Sequence, residues 1–151
     1  MQLAHGASVL VTDGRKALYL RNEGDGEFAN LRLVRKWESP VPADRELRSD
    51  APGRVFASRG GSTRRSSYDE GNFHDQQEAE FAEHIAEFVN SEEADDALQL
   101  VLVAPPRTLG VLRKHLRRDV ADRLVAEIPK DLVKHPIPEI ERLLTAHRER
   151  A

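Results

Sequence analysis

LQLVLVAPPRTLGVLRKHL, Leu98–Leu116, is the stretch that decides the fold. Leu98–Ala104 is an unbroken apolar run, the composition of a strand covered on both faces. Pro105-Pro106 stops the strand and suits the opening of a helix, where a missing backbone N–H costs nothing. Leu109, Leu112, Leu116 and Val120 then recur at helical spacing and mark the inner face of that helix.

Upstream, Ser8–Thr12 (SVLVT) is a short apolar run that stops at Asp13-Gly14, a strong turn signal. Lys16–Arg21 (KALYLR) resumes the pattern, so the pair reads as a hairpin around Asp13-Gly14-Arg15. Gly24-Asp25-Gly26 marks a second turn. A third strand follows, in which Leu31, Leu33 and Trp37 alternate with Arg32, Val34 and Lys36. These three strands form an antiparallel meander.

From Ser39 to Gln77 the periodicity vanishes among Pro40, Pro42, Pro52, Gly53, Gly60, Gly61 and Gly71. The segment reads as a long flexible basic loop, 39–77, of a length that compact domains keep for function or leave unstructured. Phe81, Ile85, Phe88 and Val89 restore a helical pattern and predict a helix from about Asp75 to Ser91. Leu124–Ile128 predicts a fifth strand. Pro136 and Pro138 open a last helix with Ile140, Leu143 and Leu144 facing inward.

The order is therefore β-β-β-α-β-α-β-α. It predicts an α/β, three-layer, ribonuclease-H-like fold with a mixed five-stranded sheet and helices on both faces, because right-handed crossovers set the last two strands parallel to the first. Another three-layer α/β sandwich is the alternative. The 151 residues suit one domain spanning 1–151.

Composition excludes several functions. Without cysteine there is no disulfide, thiolate metal site or cysteine nucleophile. The N-terminal segment has no basic, apolar signal pattern, and no run approaches the roughly 20 apolar residues of a membrane span. The expected compartment is the cytoplasm, with no membrane insertion.

The net charge of −3 conceals a polarity along the chain. Arg32–Ser67 holds nine basic residues against four acidic ones, a net of +5, whereas Tyr68–Asp96 holds eleven acidic residues and no lysine or arginine. Arg107, Arg113, Lys114, Arg117 and Arg118 then follow with no acid before Asp119. The basic loop and basic helix could together hold a polyanion, releasing counterions from each phosphate. Alternatively the charged helix faces are solvated and the arginines pair with the acidic first helix. Arg107, Lys130 and Asp131 fall at the ends of the two later strands, an edge where α/β sheets bind ligands.

Catalytic constellations are thin. A two-metal nuclease needs converging carboxylates; Asp13 ends the first strand and Asp75 or Glu78 would approach from the first helix, but Asp13 also suits the first position of an Asp-Gly turn. His5, His74, His84, His115, His135 and His147 have no ligand-like spacing. Nothing places a base beside Ser62. No catalytic residue, metal ligand or cofactor is assigned.

Four stretches nevertheless resemble one family: VTDGRKALYL at the first hairpin, DAPGRVF (Asp50–Phe56), APPRTLGVLRKHL (Ala104–Leu116) and IPKDLVKHPIPEIERLL (Ile128–Leu144). They are similar to the bacterial host attachment proteins, the proteins required for attachment to host cells, with Val133 standing where that family usually has threonine. Those proteins are grouped with bacterial relatives of the archaeal and eukaryotic peptide-chain release factors, through the ribonuclease-H-like central domain. In release factors a Gly-Gly-Gln loop between the third strand and first helix positions water to cleave peptidyl-tRNA. Here Gly60-Gly61 lies in the corresponding connection and is followed by Ser62, so the resemblance does not carry hydrolysis over.

What it implies is a non-catalytic, ribosome-associated or tRNA/RNA-binding module. The residues expected to meet phosphate are Arg54, Arg59, Gly60, Gly61, Arg64, Arg65, Arg107, Arg113 and Lys130. An indirect contribution to host attachment and a metal-dependent nuclease or peptidyl-tRNA hydrolase are the alternatives.

Overall fold

A computed structural model describes residues 1–39, 66–91 and 99–147, with residues 66–72 and 74 given by their backbone. The elements are β1 (Ser8–Thr12), β2 (Lys16–Asn22), β3 (Leu31–Glu38), α1 (Ser66–Val89), β4 (Leu100–Val103), α2 (Pro106–His115), the short α3 (Arg118–Ala121), β5 (Leu124–Ile128) and α4 (Ile137–Ala146). They form a mixed five-stranded sheet in the order β3-β2-β1-β4-β5. β2 is antiparallel to β1 and β3, while β4 is parallel to β1 and β5. The expected three-layer α/β architecture is therefore present.

Both faces of the sheet are covered, which explains why SVLVT and LVLV are apolar without alternation. On one face Leu10, Tyr19, Leu100 and Leu102 pack with Phe81 and Ile85 of α1 and Leu112 of α2. On the other, Val9, Val11, Leu18, Val101 and Val103 pack with Ile140 and Leu144 of α4. Tyr19 turns its hydroxyl to Ser8 Oγ at 2.7 Å, so this buried phenol keeps a polar partner.

The turns have local chemical causes. Asp13 Oδ1 accepts from the backbone N–H of Arg15 and Lys16, each at 2.9 Å, closing the β1–β2 hairpin. Gly14 takes φ +92°, a backbone region that side chains disfavour. A Cβ there would also press on Glu78 of α1 at 3.2 Å. At the next turn, a Cβ on Gly24 would collide with the Phe28 carbonyl. Asp25 Oδ1 accepts from Phe28 N at 2.7 Å and Glu27 N at 3.0 Å, and these bonds hold its carboxyl below the usual range.

One strand register and three boundaries differ from the expectations. Tyr19 pairs with Arg35 while Leu20 pairs with Leu33, so Val34 is an extra residue in a β-bulge. The bulge reverses the face of everything after it. Trp37 consequently sits on the α1 face, with its ring 4.7 Å from that of Phe88, and not beside Leu31 and Leu33. Leu33 and Val34 are exposed.

α1 begins at Ser66 and not near Asp75, so 66–77 of the expected loop is helical. Its early sequence, Ser66-Ser67-Tyr68-Asp69-Glu70, has the hydroxyl-then-acid order of a helix start but no apolar spacing to betray it. At about 1.5 Å per residue, Ser66 lies roughly 18 Å along the helix from Glu78. Residues 40–65 of the expected loop lie outside the described residues.

α2 stops at His115, and Val120 belongs to α3. Asn90, just after α1, donates from Nδ2 to His115 O and accepts on Oδ1 from Arg117 N, both at 2.8 Å. That side chain satisfies the backbone groups freed by the break. Of the expected strand Leu98–Ala104, Leu100–Val103 is strand and Gln99 and Ala104 are not, while Leu98 lies outside the described residues.

Candidate functional site

β1, β3, β4 and β5 all point the same way, because only β2 runs against its neighbours. Their carboxyl ends therefore gather at one edge of the sheet. Four segments emerge there: the Asp13-Gly14-Arg15 turn, the start of the β3–α1 connection at Ser39, Pro105-Pro106-Arg107, and Pro129-Lys130-Asp131. Ser39 N donates to Arg15 O at 2.6 Å, tying the connection to the first hairpin. α1 returns to this edge with Asp75 and Glu78.

Two arginines at the edge already face carboxylates. Arg107 reaches Asp75 with Nη1–Oδ1 at 2.7 Å, and Arg15 approaches Glu78 with Nε–Oε1 at 3.9 Å. Arg107 is 70% and Asp75 45% exposed, so this ion pair contributes about 0–1 kcal/mol and opens readily. Between the pairs, Asp75, Glu78, Ala79, Arg107, Thr108 and Val111 line a pocket of about 60 Å³. That is room for a few waters or one small ion.

Of the expected phosphate-binding residues, Arg107 and Lys130 stand at this edge. Lys130 is exposed and meets no carboxylate among the described residues. Arg113 is turned away toward β5, where its Nη2 lies 2.9 Å from Glu127 Oε1. Farther along, Arg117 holds Asp119 by two bonds, at 3.0 and 3.1 Å, and keeps that carboxyl below its usual range. Arg54, Arg59, Gly60, Gly61, Arg64 and Arg65 lie outside the described residues.

The carboxylates of the two-metal alternative do not form a cluster. Asp13 is used by its own turn, Asp75 by Arg107 and Glu78 by Arg15. Among the described residues no group of three or more His, Asp or Glu side chains is arranged to hold a metal ion. Also among the described residues, no helix is long and apolar enough to cross a membrane.

Two residues of this edge were not anticipated from the sequence. Arg15 reads as a hairpin residue, and only the approach of α1 brings it to Glu78. Thr108 follows a Pro-Pro-Arg start and is 6% exposed; its place in the pocket wall depends on how α1 and α2 pack.

The model of bacterial archaeo-eukaryotic release factor family 12 matches residues 7–144. This span includes every strand and all but the last residues of α4. The match bears on the release-factor side of the resemblance and does not speak to host attachment. No curated protein matches the chain. With nearly its full length matched, the chain belongs to bacterial archaeo-eukaryotic release factor family 12.

Proposed function

We propose that this protein is a one-domain, non-catalytic module of the cytoplasm that associates with RNA, in particular with the ribosome or tRNA. The observation that carries the reading is the convergence of four strand ends on one edge. There the start of the β3–α1 connection meets Arg15, the helix that follows it meets Arg107, and Lys130 stands farther along the same edge, after β5. That connection bears Arg54, Arg59, Arg64 and Arg65 around Gly60-Gly61. Arginine presents a planar fork of donors that suits phosphate, and Gly-Gly leaves backbone N–H groups accessible. Family membership supplies the ribosomal context.

Hydrolysis is not proposed, because Ser62 stands where the release-factor loop has glutamine and the carboxylates of the edge are separately committed. A contribution to attachment to host cells, which the sequence resemblance also names, would on this reading be indirect.

The test is fluorescence anisotropy with a labelled tRNA-sized RNA over a salt series. The wild-type protein is compared with a variant combining Arg54→Ser, Arg59→Ser, Arg64→Ser and Arg65→Ser. Every phosphate that an arginine no longer neutralises lowers the log–log salt slope by about 0.7–0.9, so the slope should fall by about 3. Affinity at low salt should drop on the order of a hundredfold. Wild-type protein that shows no salt-dependent binding sinks the proposal.

A further inference from the structure

Thr108 is an anomaly within the edge. It is 6% exposed, yet among the described residues its hydroxyl has no hydrogen-bond partner. A threonine in a helix commonly bonds back to the carbonyl one turn earlier; here that bond is not made. The residue instead lines the pocket between α1 and α2.

The start of α2 has the same deficit. Pro105 gives no side-chain cap, and Pro106 has no N–H. The N–H groups of Arg107 and Thr108 meet no acceptor among the described residues, and the first such bond is Leu109 N to Pro105 O at 3.0 Å. An uncapped helix start with free N–H groups carries a partial positive charge. Adjoining it are the unpartnered hydroxyl of Thr108, a residue otherwise buried, a guanidinium and a small pocket. The free N–H groups, the hydroxyl and the guanidinium all offer donors.

We infer that this pocket is a subsite for one phosphate group, held by the Arg107 and Thr108 backbone N–H groups, the Thr108 hydroxyl and the Arg107 guanidinium. The inference rests on the RNA reading above for the source of that phosphate, which could equally be free phosphate.

Asp75 and Glu78 share the pocket wall, and their charges must be accommodated. Asp75 holds Arg107 through an exposed contact, which costs little to break. Glu78 is drawn to Arg15. Asp75 thus acts as an internal stand-in for the phosphate and leaves the guanidinium when it arrives. A cation site would need Asp75 in place; a phosphate site works better without it.

The experiment is amide-resolved NMR titration of the full chain, first with inorganic phosphate against chloride at matched ionic strength, then with a short RNA. Phosphate should shift the Arg107 and Thr108 amides saturably. Thr108→Val should weaken phosphate by about tenfold, because it removes a hydrogen bond to a charged group. It should not lower the melting temperature, since the hydroxyl has no partner to give up. Asp75→Asn should tighten phosphate several-fold.

Absence of a saturable shift at these amides overturns the subsite, as does weaker phosphate binding by Asp75→Asn. RNA binding that leaves both amides unmoved also overturns it, while the RNA reading survives. Phosphate binding without RNA binding supports the subsite and sinks RNA as its source.

Discussion

Asn22→Ala is expected to destabilise the protein by about 3 kcal/mol and lower its melting temperature by about 10 °C. Asn22 is fully buried at the end of β2 and satisfies both ends of its amide. Nδ2 donates to Leu3 O at 2.8 Å and Ala4 O at 3.2 Å, with a longer contact to Asp25 O at 3.4 Å. Oδ1 accepts from Asn30 N at 2.8 Å and Gly24 N at 3.0 Å. One side chain thereby fastens the N-terminal segment to the β2–β3 turn. Alanine would leave several of these backbone groups unpaired, and each buried one costs about 1–3 kcal/mol. Thermal unfolding followed by circular dichroism checks this. A shift below about 2 °C would mean that water replaces these bonds freely.

Ile85→Ala is expected to cost about 3–4 kcal/mol, again near 10 °C. Ile85 is 0% exposed at the centre of the cluster that joins α1 to Leu10, Leu102 and Leu112. Its neighbour Phe88 stands edge-on to Tyr19 at 5.2 Å and to Trp37 at 4.7 Å, so large rings on both sides limit collapse of the resulting cavity. The cavity also weakens the docking of the helix that presents Asp75 and Glu78. Hydrogen exchange should therefore be faster across the latter half of α1 than in α4, whose Ile140 and Leu144 serve the opposite face. Equally reduced protection in both helices would show that α1 does not loosen separately.

The sheet and its covering helices were legible because their signals are local. SVLVT, KALYLR and LQLVLVA announce themselves by apolar runs, and Asp13-Gly14 and Pro105-Pro106 punctuate them. Bulges leave no such trace: nothing in LRLVRKWE tells that Val34 is skipped and that Trp37 changes face. A similar shift beside Leu100 leaves Val125 unpaired and exposed on β5. The break after His115 was hidden too, since its cause, Asn90, follows another helix.

For the site, the sequence located Arg107 and Lys130 at the strand ends and offered pairing with the acidic helix as the alternative use of the arginines. The Arg107–Asp75 contact is that pairing. Arg15 and Thr108 could not be read, because their importance depends on elements distant in the chain meeting at one edge. The role of the arginines between Ser39 and Ser66 rests on sequence and topology together.

Co-sedimentation with ribosomes at low and at high salt tests the ribosome-facing role of this edge most directly. The protein should pellet with ribosomes at low salt and be released at high salt, as phosphate-dominated binding requires. Protein that stays in the supernatant at both salt concentrations would contradict it.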